Sequence, residues 1–110
     1  MLSGEMGSEY SMAMTSQLVT PHTKDWDYDL LSRMGLSKEL FIPVTPSCSR
    51  RGNLLPELAS AAGINQAPVL AVGGHDPAPA VAAVPGKGDV VSPSSGTWSL
   101  FGMESDQPIL

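Results

Sequence analysis

Two short stretches of the chain carry residue types with chemical use. The first is Gly73-Gly74-His75-Asp76, which follows the apolar run Val69-Leu-Ala-Val72 and leads into Pro77-Ala78-Pro79-Ala80. The second is Ser94-Ser95-Gly96-Thr97. A carboxylate beside an imidazole can accept a proton, but the same Asp76 stands where a helix N-cap is expected, with Pro77 at the first helical position. A helix start keeps such a carboxylate ionised through its dipole and free N–H groups. Cap and base are both open readings of Asp76, and His75 equally suits a hydrogen-bonded structural role. Gly73 and Gly74 allow a sharp turn and the close approach of another molecule. The Ser/Gly/Thr loop offers N–H groups and hydroxyls suited to phosphate oxygens. It lacks the spacing and lysine of a P-loop, and a tight hairpin turn explains it equally well. A serine hydrolase fits poorly, because Gly-x-Ser-x-Gly is absent and the two histidines are His22 and His75. Cys and His at metal-ligand spacing are absent too.

The elements that must position these residues follow from apolar pattern and punctuation. Val69 to Val72 reads as a buried strand, and Ala78 to Val84 as a helix that Pro77 and Pro79 do not break, since first-turn N–H groups have no intrahelical partner. Lys87-Gly88-Asp89 reads as a turn. Val90 to Ser92 and Trp98 to Met103 read as two strands joined by the Ser/Gly loop, with Pro93 marking an edge or a bulge. Upstream, Ser11 to Leu18 reads as a short helix capped by Ser8 or Ser11, and Val19 to Lys24 as a connection. Asp25 to Gly35 reads as a helix with Asp25 or Asp27 as cap, Arg33 in its last turn and Gly35 as its stop. Its apolar face is Trp26, Leu30, Leu31 and Met34. Helix-end electrostatics accounts for Asp25, Asp27 and Asp29 without a metal. Leu36 to Pro46 reads as an extended connector and Ser47 to Leu54 as a strand with a turn at Gly52-Asn53. Leu55 to Gly63 reads as a helix opened by Pro56 and closed by Gly63.

Size and composition bound the class. A chain of 110 residues, 42% apolar, suffices for one modest domain. Eleven glycines, ten prolines and 5% aromatics make it rich in loops. A net charge of -5 argues against nucleic acid, which needs a basic surface. The single Cys48 excludes an internal disulfide and fits a reducing compartment. No apolar run approaches the roughly 18 residues of a membrane span, and the N-terminus lacks a signal-peptide pattern. These features together predict a soluble cytoplasmic protein.

Taken in series, the pieces resemble the FGGY family of carbohydrate kinases, closest to members acting on deoxy-ketoses. The matching text is Ser8-Glu-Tyr-Ser-Met-Ala-Met-Thr-Ser-Gln-Leu18, Asp25-Trp26-Asp27, Gly73-Gly74-His75-Asp76, Ala82-Ala83-Val84-Pro85, Ser94-Ser95-Gly96-Thr97-Trp98-Ser99-Leu100 and Gly102-Met103-Glu104. Each motif is weak alone; their order over nearly the whole chain is specific. The resemblance implies an α/β fold, part of an actin-like, ribonuclease-H-like ATPase domain with a mixed sheet and flanking helices. It implies that residues 1–110 are the closing part of the first kinase domain, a fragment without the N-terminal phosphate loop or the second domain. It further implies that Asp76 is the base for the attacking sugar hydroxyl, that His75, Asp76 and Pro77 line the sugar site, and that Gly96 and Thr97 contact ATP phosphate. The expected partners are ATP with Mg²⁺ and a ketose, L-rhamnulose first and L-fuculose second, with neither nucleic acid nor membrane. Pro77-Ala78-Pro79-Ala80 stands where the family usually has Thr and then Ala-Ser-Ala. Pro77 therefore offers a sugar neither N–H nor hydroxyl. Such a departure also suits a competing reading, a non-catalytic remnant or a sugar-binding or interaction module.

Overall fold

The computed structural model of the chain describes residues 1–85 and 90–106. In order, its elements are β1 (Ser8–Glu9), α1 (Tyr10–Met14), β2 (Val19–Thr20), β3 (Asp25–Trp26) and α2 (Tyr28–Arg33). A 3-10 turn (Lys38–Leu40), β4 (Val44–Thr45), β5 (Ser49–Asn53), α3 (Pro56–Ala62) and β6 (Pro68–Ala71) follow. The chain closes with α4 (Pro77–Ala82), β7 (Val91–Ser95) and β8 (Ser99–Met103). Strand β1 pairs with β4 in parallel, whereas β2–β3, β5–β6 and β7–β8 are antiparallel. Helices with strands of both pairing senses give the mixed α/β class expected. The turn expected at Lys87-Gly88-Asp89 lies outside the described residues.

The main core belongs to the N-terminal half. Ala13, Val19, Trp26 and Leu31 form a buried cluster, flanked by Tyr10, Met14, Leu18, Leu36, Phe41 and Val44. Leu31 is 1% exposed. Trp26 meets Phe41 edge-on, with ring centroids 5.0 Å apart at 62°, a favoured arrangement for aromatic quadrupoles. Its indole N–H donates to the carbonyl of Ile42 at 2.7 Å, so the ring is buried without an unpaired donor.

Several boundaries differ from the sequence reading, each for a visible reason. The Asp25–Gly35 helix begins only at Tyr28, because Asp25 and Trp26 are taken by β3, opposite Thr20 and Val19. Asp27 is then the cap, its carboxylate accepting from Leu30 N–H at 2.9 Å. Met34, placed on the apolar face, is 56% exposed. The segment read as a connection, Val19 to Lys24, is therefore half of a hairpin. The Leu36–Pro46 connector contains the 3-10 turn and β4. Gly52 and Asn53 do not turn the chain; they lie within β5, where the register shifts between Arg50 and Asn53. Gly52 takes φ +83° there, as a bulge residue does. Helix α3 opens on Pro56 and closes at Gly63 in the left-handed conformation, as read.

The C-terminal third is more open. Trp98 and Phe101 on the β7–β8 hairpin are each 79% exposed. The radius of gyration, 17.1 Å, exceeds the roughly 13 Å of a compact domain of this length. The hairpin meets α4 at Gly102, where a Cβ would sit 2.8 Å from Val81 Cγ2. No helix among the described residues is long and apolar enough to cross a membrane.

Candidate functional site

Strand β6 delivers the chain to Val72-Gly73-Gly74, and α4 leaves from the other side of that turn. Neither glycine adopts a left-handed φ. What Gly74 provides is room: a Cβ there would lie 2.7 Å from Met12 Cγ. The close approach expected at the glycine pair is thus made by α1 of the same chain. His75 is half-buried and its N–H donates to Ser11 Oγ at 3.2 Å.

Asp76 follows at the N-cap position, but its side chain caps nothing. Its backbone is already helical, at φ -42° and ψ -44°, whereas a capping residue is normally extended. The usual donors are also missing. Pro77 and Pro79 have no N–H, and the N–H of Ala78 donates to His75 O at 2.9 Å. The cap reading of Asp76 is corrected accordingly. Its carboxylate is exposed at the mouth of the turn, available to a ligand rather than consumed by the helix. Pro77 is half-buried at the first helical position, as expected.

Glu9, to which the sequence alone assigns no role, holds this turn in place. Its Oε1 accepts from Ser11 N–H at 2.9 Å and from the Ser47 hydroxyl. Its Oε2 accepts from Ser11 Oγ at 2.6 Å, Met12 N–H at 3.2 Å and Gly74 N–H at 3.1 Å. Five donors from three parts of the chain converge on one carboxylate. Desolvation pushes the acid up, but the hydroxyls of Ser11 and Ser47 and the N–H groups of Ser11 and Gly74 outweigh it. The pKa is lowered from 4.5 to about 2. Glu9 therefore replaces Ser8 and Ser11 as the cap of α1. A long acidic side chain is an uncommon cap. Only its distant partners, Ser47 and Gly74, explain the choice.

Gly96 and Thr97 lie in the exposed connection between β7 and β8. Gly96 N–H donates to Trp98 O at 3.0 Å and closes the hairpin, so it is not free for phosphate. Thr97 is exposed and no described residue hydrogen-bonds it, which leaves its hydroxyl and N–H open to a ligand. Helix α4 links the two candidate stretches, beginning at the His75-Asp76 turn and packing on β8 through Val81. Among the described residues no three His, Cys, Asp or Glu side chains converge as metal ligands. A magnesium ion held by one or two carboxylates and the phosphates of a nucleotide would need no such cluster.

Residues 1–83 match the FGGY family of carbohydrate kinases, N-terminal domain. A rhamnulokinase of Oceanobacillus iheyensis is 41% identical over 109 residues, covering 99% of this chain and 23% of that protein. The rhamnulokinase of Bacteroides thetaiotaomicron is 42% identical over 111 residues, with 100% and 23% covered. The chain thus spans less than a quarter of the length of these relatives. In structure, 67% of the chain superposes on 16% of a gluconate kinase from Lactobacillus acidophilus, with a TM-score of 0.57 at 21% identity. That likeness fits the expected piece of an actin-like α/β domain.

Proposed function

The chain belongs to the FGGY family of carbohydrate kinases, and from that premise we propose that it forms part of an ATP-dependent ketose kinase. The substrate is L-rhamnulose in the first place and L-fuculose in the second. The observation that carries the reading is Asp76: an exposed carboxylate, released from capping, in a turn whose two preceding amides are held by Glu9 and Ser11. In this reading Asp76 accepts the proton as the sugar hydroxyl forms its bond to the γ-phosphorus and the bond to the leaving diphosphate oxygen breaks. Phosphoryl transfer asks the protein mainly for such positioning and for charge stabilisation. ATP supplies the phosphoryl group when bound. Thr97, with Gly96 shaping its turn, contacts a phosphate, while His75 and Pro77 line the sugar side.

The test is a chimera in which residues 1–110 replace the matching stretch of the Oceanobacillus iheyensis rhamnulokinase. It is expected to release ADP in the presence of L-rhamnulose. Asp76→Asn should lower kcat by about 10²- to 10⁴-fold, the usual contribution of a general base. A chimera that folds but ignores the sugar would end the ketose kinase reading. An Asp76→Asn chimera that turns over within a few-fold of the unsubstituted protein would remove Asp76 as the base.

A further inference from the structure

We infer that Glu9 is a positioning residue for the proposed phosphoryl transfer, fixing the Gly74-His75 backbone and through it the aim of Asp76. The inference rests on the kinase reading for its catalytic consequence, but the contact itself stands on geometry. Gly74 N–H reaches Glu9 Oε2 at 3.1 Å across 65 residues of sequence, and His75 N–H reaches Ser11 Oγ at 3.2 Å across 64. The same Ser11 hydroxyl donates to Glu9 Oε2 at 2.6 Å. Two successive amides of the turn are therefore tied to one Glu-Ser pair at the start of α1. Asp76 is the next residue, without side-chain support of its own from the helix it opens. Its position is set by the backbone just before it, and that backbone is set by Glu9 and Ser11. The bare Cα of Gly74 belongs to the same device, because it lets α1 come close enough for the carboxylate to reach.

A plain helix cap and a positioning residue make different demands on side-chain length. Aspartate is a better N-cap than glutamate, so Glu9→Asp keeps the cap on Ser11 and Met12. It is shorter by one methylene and cannot also span to Gly74. In the 110-residue chain, Glu9→Asp should raise hydrogen exchange at the Gly74 amide by tenfold or more while Met12 stays protected. In the chimera it should lower kcat by about 10²-fold, as ångström-scale misplacement of a reacting group does, with the KM for ATP unchanged. Ser11→Ala should act in the same direction, about tenfold, and the two losses should be less than additive because they report one contact set.

Equal loss of protection at Gly74 and Met12, or a Glu9→Asp chimera with kcat within twofold, would reduce Glu9 to a cap and overturn the inference. Asp76→Asn separates the two readings. If it abolishes turnover while Glu9→Asp does not, the positioning role fails alone. If Asp76→Asn retains turnover, the base assignment fails, and exchange at Gly74 still decides whether Glu9 holds the turn.

Discussion

Replacing Glu9 by glutamine removes a charge without changing size, and the geometry sets what that costs. Three donors face Oε2 and two face Oε1. An amide has a single oxygen, which can face only one of these two donor sets; its NH₂ must then confront the other. A carboxyl lowered from 4.5 to about 2 is worth at most about 3.4 kcal/mol, at roughly 1.36 kcal/mol per pKa unit. The group is only half-buried, so solvent screening reduces this to about 1–2 kcal/mol. Because the folded-state pKa is depressed, this stability is fully present above the unfolded value near 4.5 and is lost as pH falls through the folded value near 2. Urea unfolding of the wild type and of Glu9→Gln should therefore differ by about 1–2 kcal/mol at neutral pH. The gap should hold down to pH 4.5 and close progressively towards pH 2. Taking the difference between the two proteins cancels the titration of the remaining acids. A gap that does not change with pH, or that has already closed above pH 5, would refute the account of the five-donor carboxylate.

Two further substitutions probe the frame around the turn. Leu31→Ala, at the most buried position of the core, should cost about 2–4 kcal/mol by cavity formation, read from the urea midpoint. A loss below about 1 kcal/mol would mean the cluster around Trp26 is not a packed core. Gly74→Ala must displace Met12, whose Cγ lies 2.7 Å from the new Cβ. It should destabilise by about 1–3 kcal/mol, and adding Met12→Ala should recover much of that. Strict additivity of the two changes would disprove the contact.

Local chemistry is legible in the sequence wherever a single residue decides an outcome. Pro56 and Gly63 bound α3 as read, and the Ser/Gly loop turns a hairpin. The candidacy of His75, Asp76, Gly96 and Thr97 comes from motif order. Where longer-range partners decide, the reading falls short. Asp25 and Trp26 suit a helix by residue type, but pairing with Val19 and Thr20 outweighs that propensity. Ser8 and Ser11 are better caps than glutamate in isolation, yet Ser47 and Gly74 recruit Glu9. Asp76 has the ideal residue type for a cap and fails as one because Pro77 and Pro79 lack N–H groups. That last failure is within reach of the sequence, since the positions of the two prolines already remove two of the three donors.

The notch at Gly102 does more than let β8 lie close to α4. Of Ser99, Leu100, Phe101, Gly102 and Met103, only one lacks a Cβ, and that one faces Val81. Valine in a helix is stiff at χ1 and cannot swing aside. Sliding the ribbon by two residues, which keeps the same side towards the helix, would bring Leu100 or Glu104 to a place too narrow for even a methyl group. A two-stranded ribbon with its apolar side chains largely in solvent has little else to reject a slipped alignment. Helix α4 therefore acts as the gauge for the hairpin, so a missing methyl group sets how far Thr97 stands from Asp76.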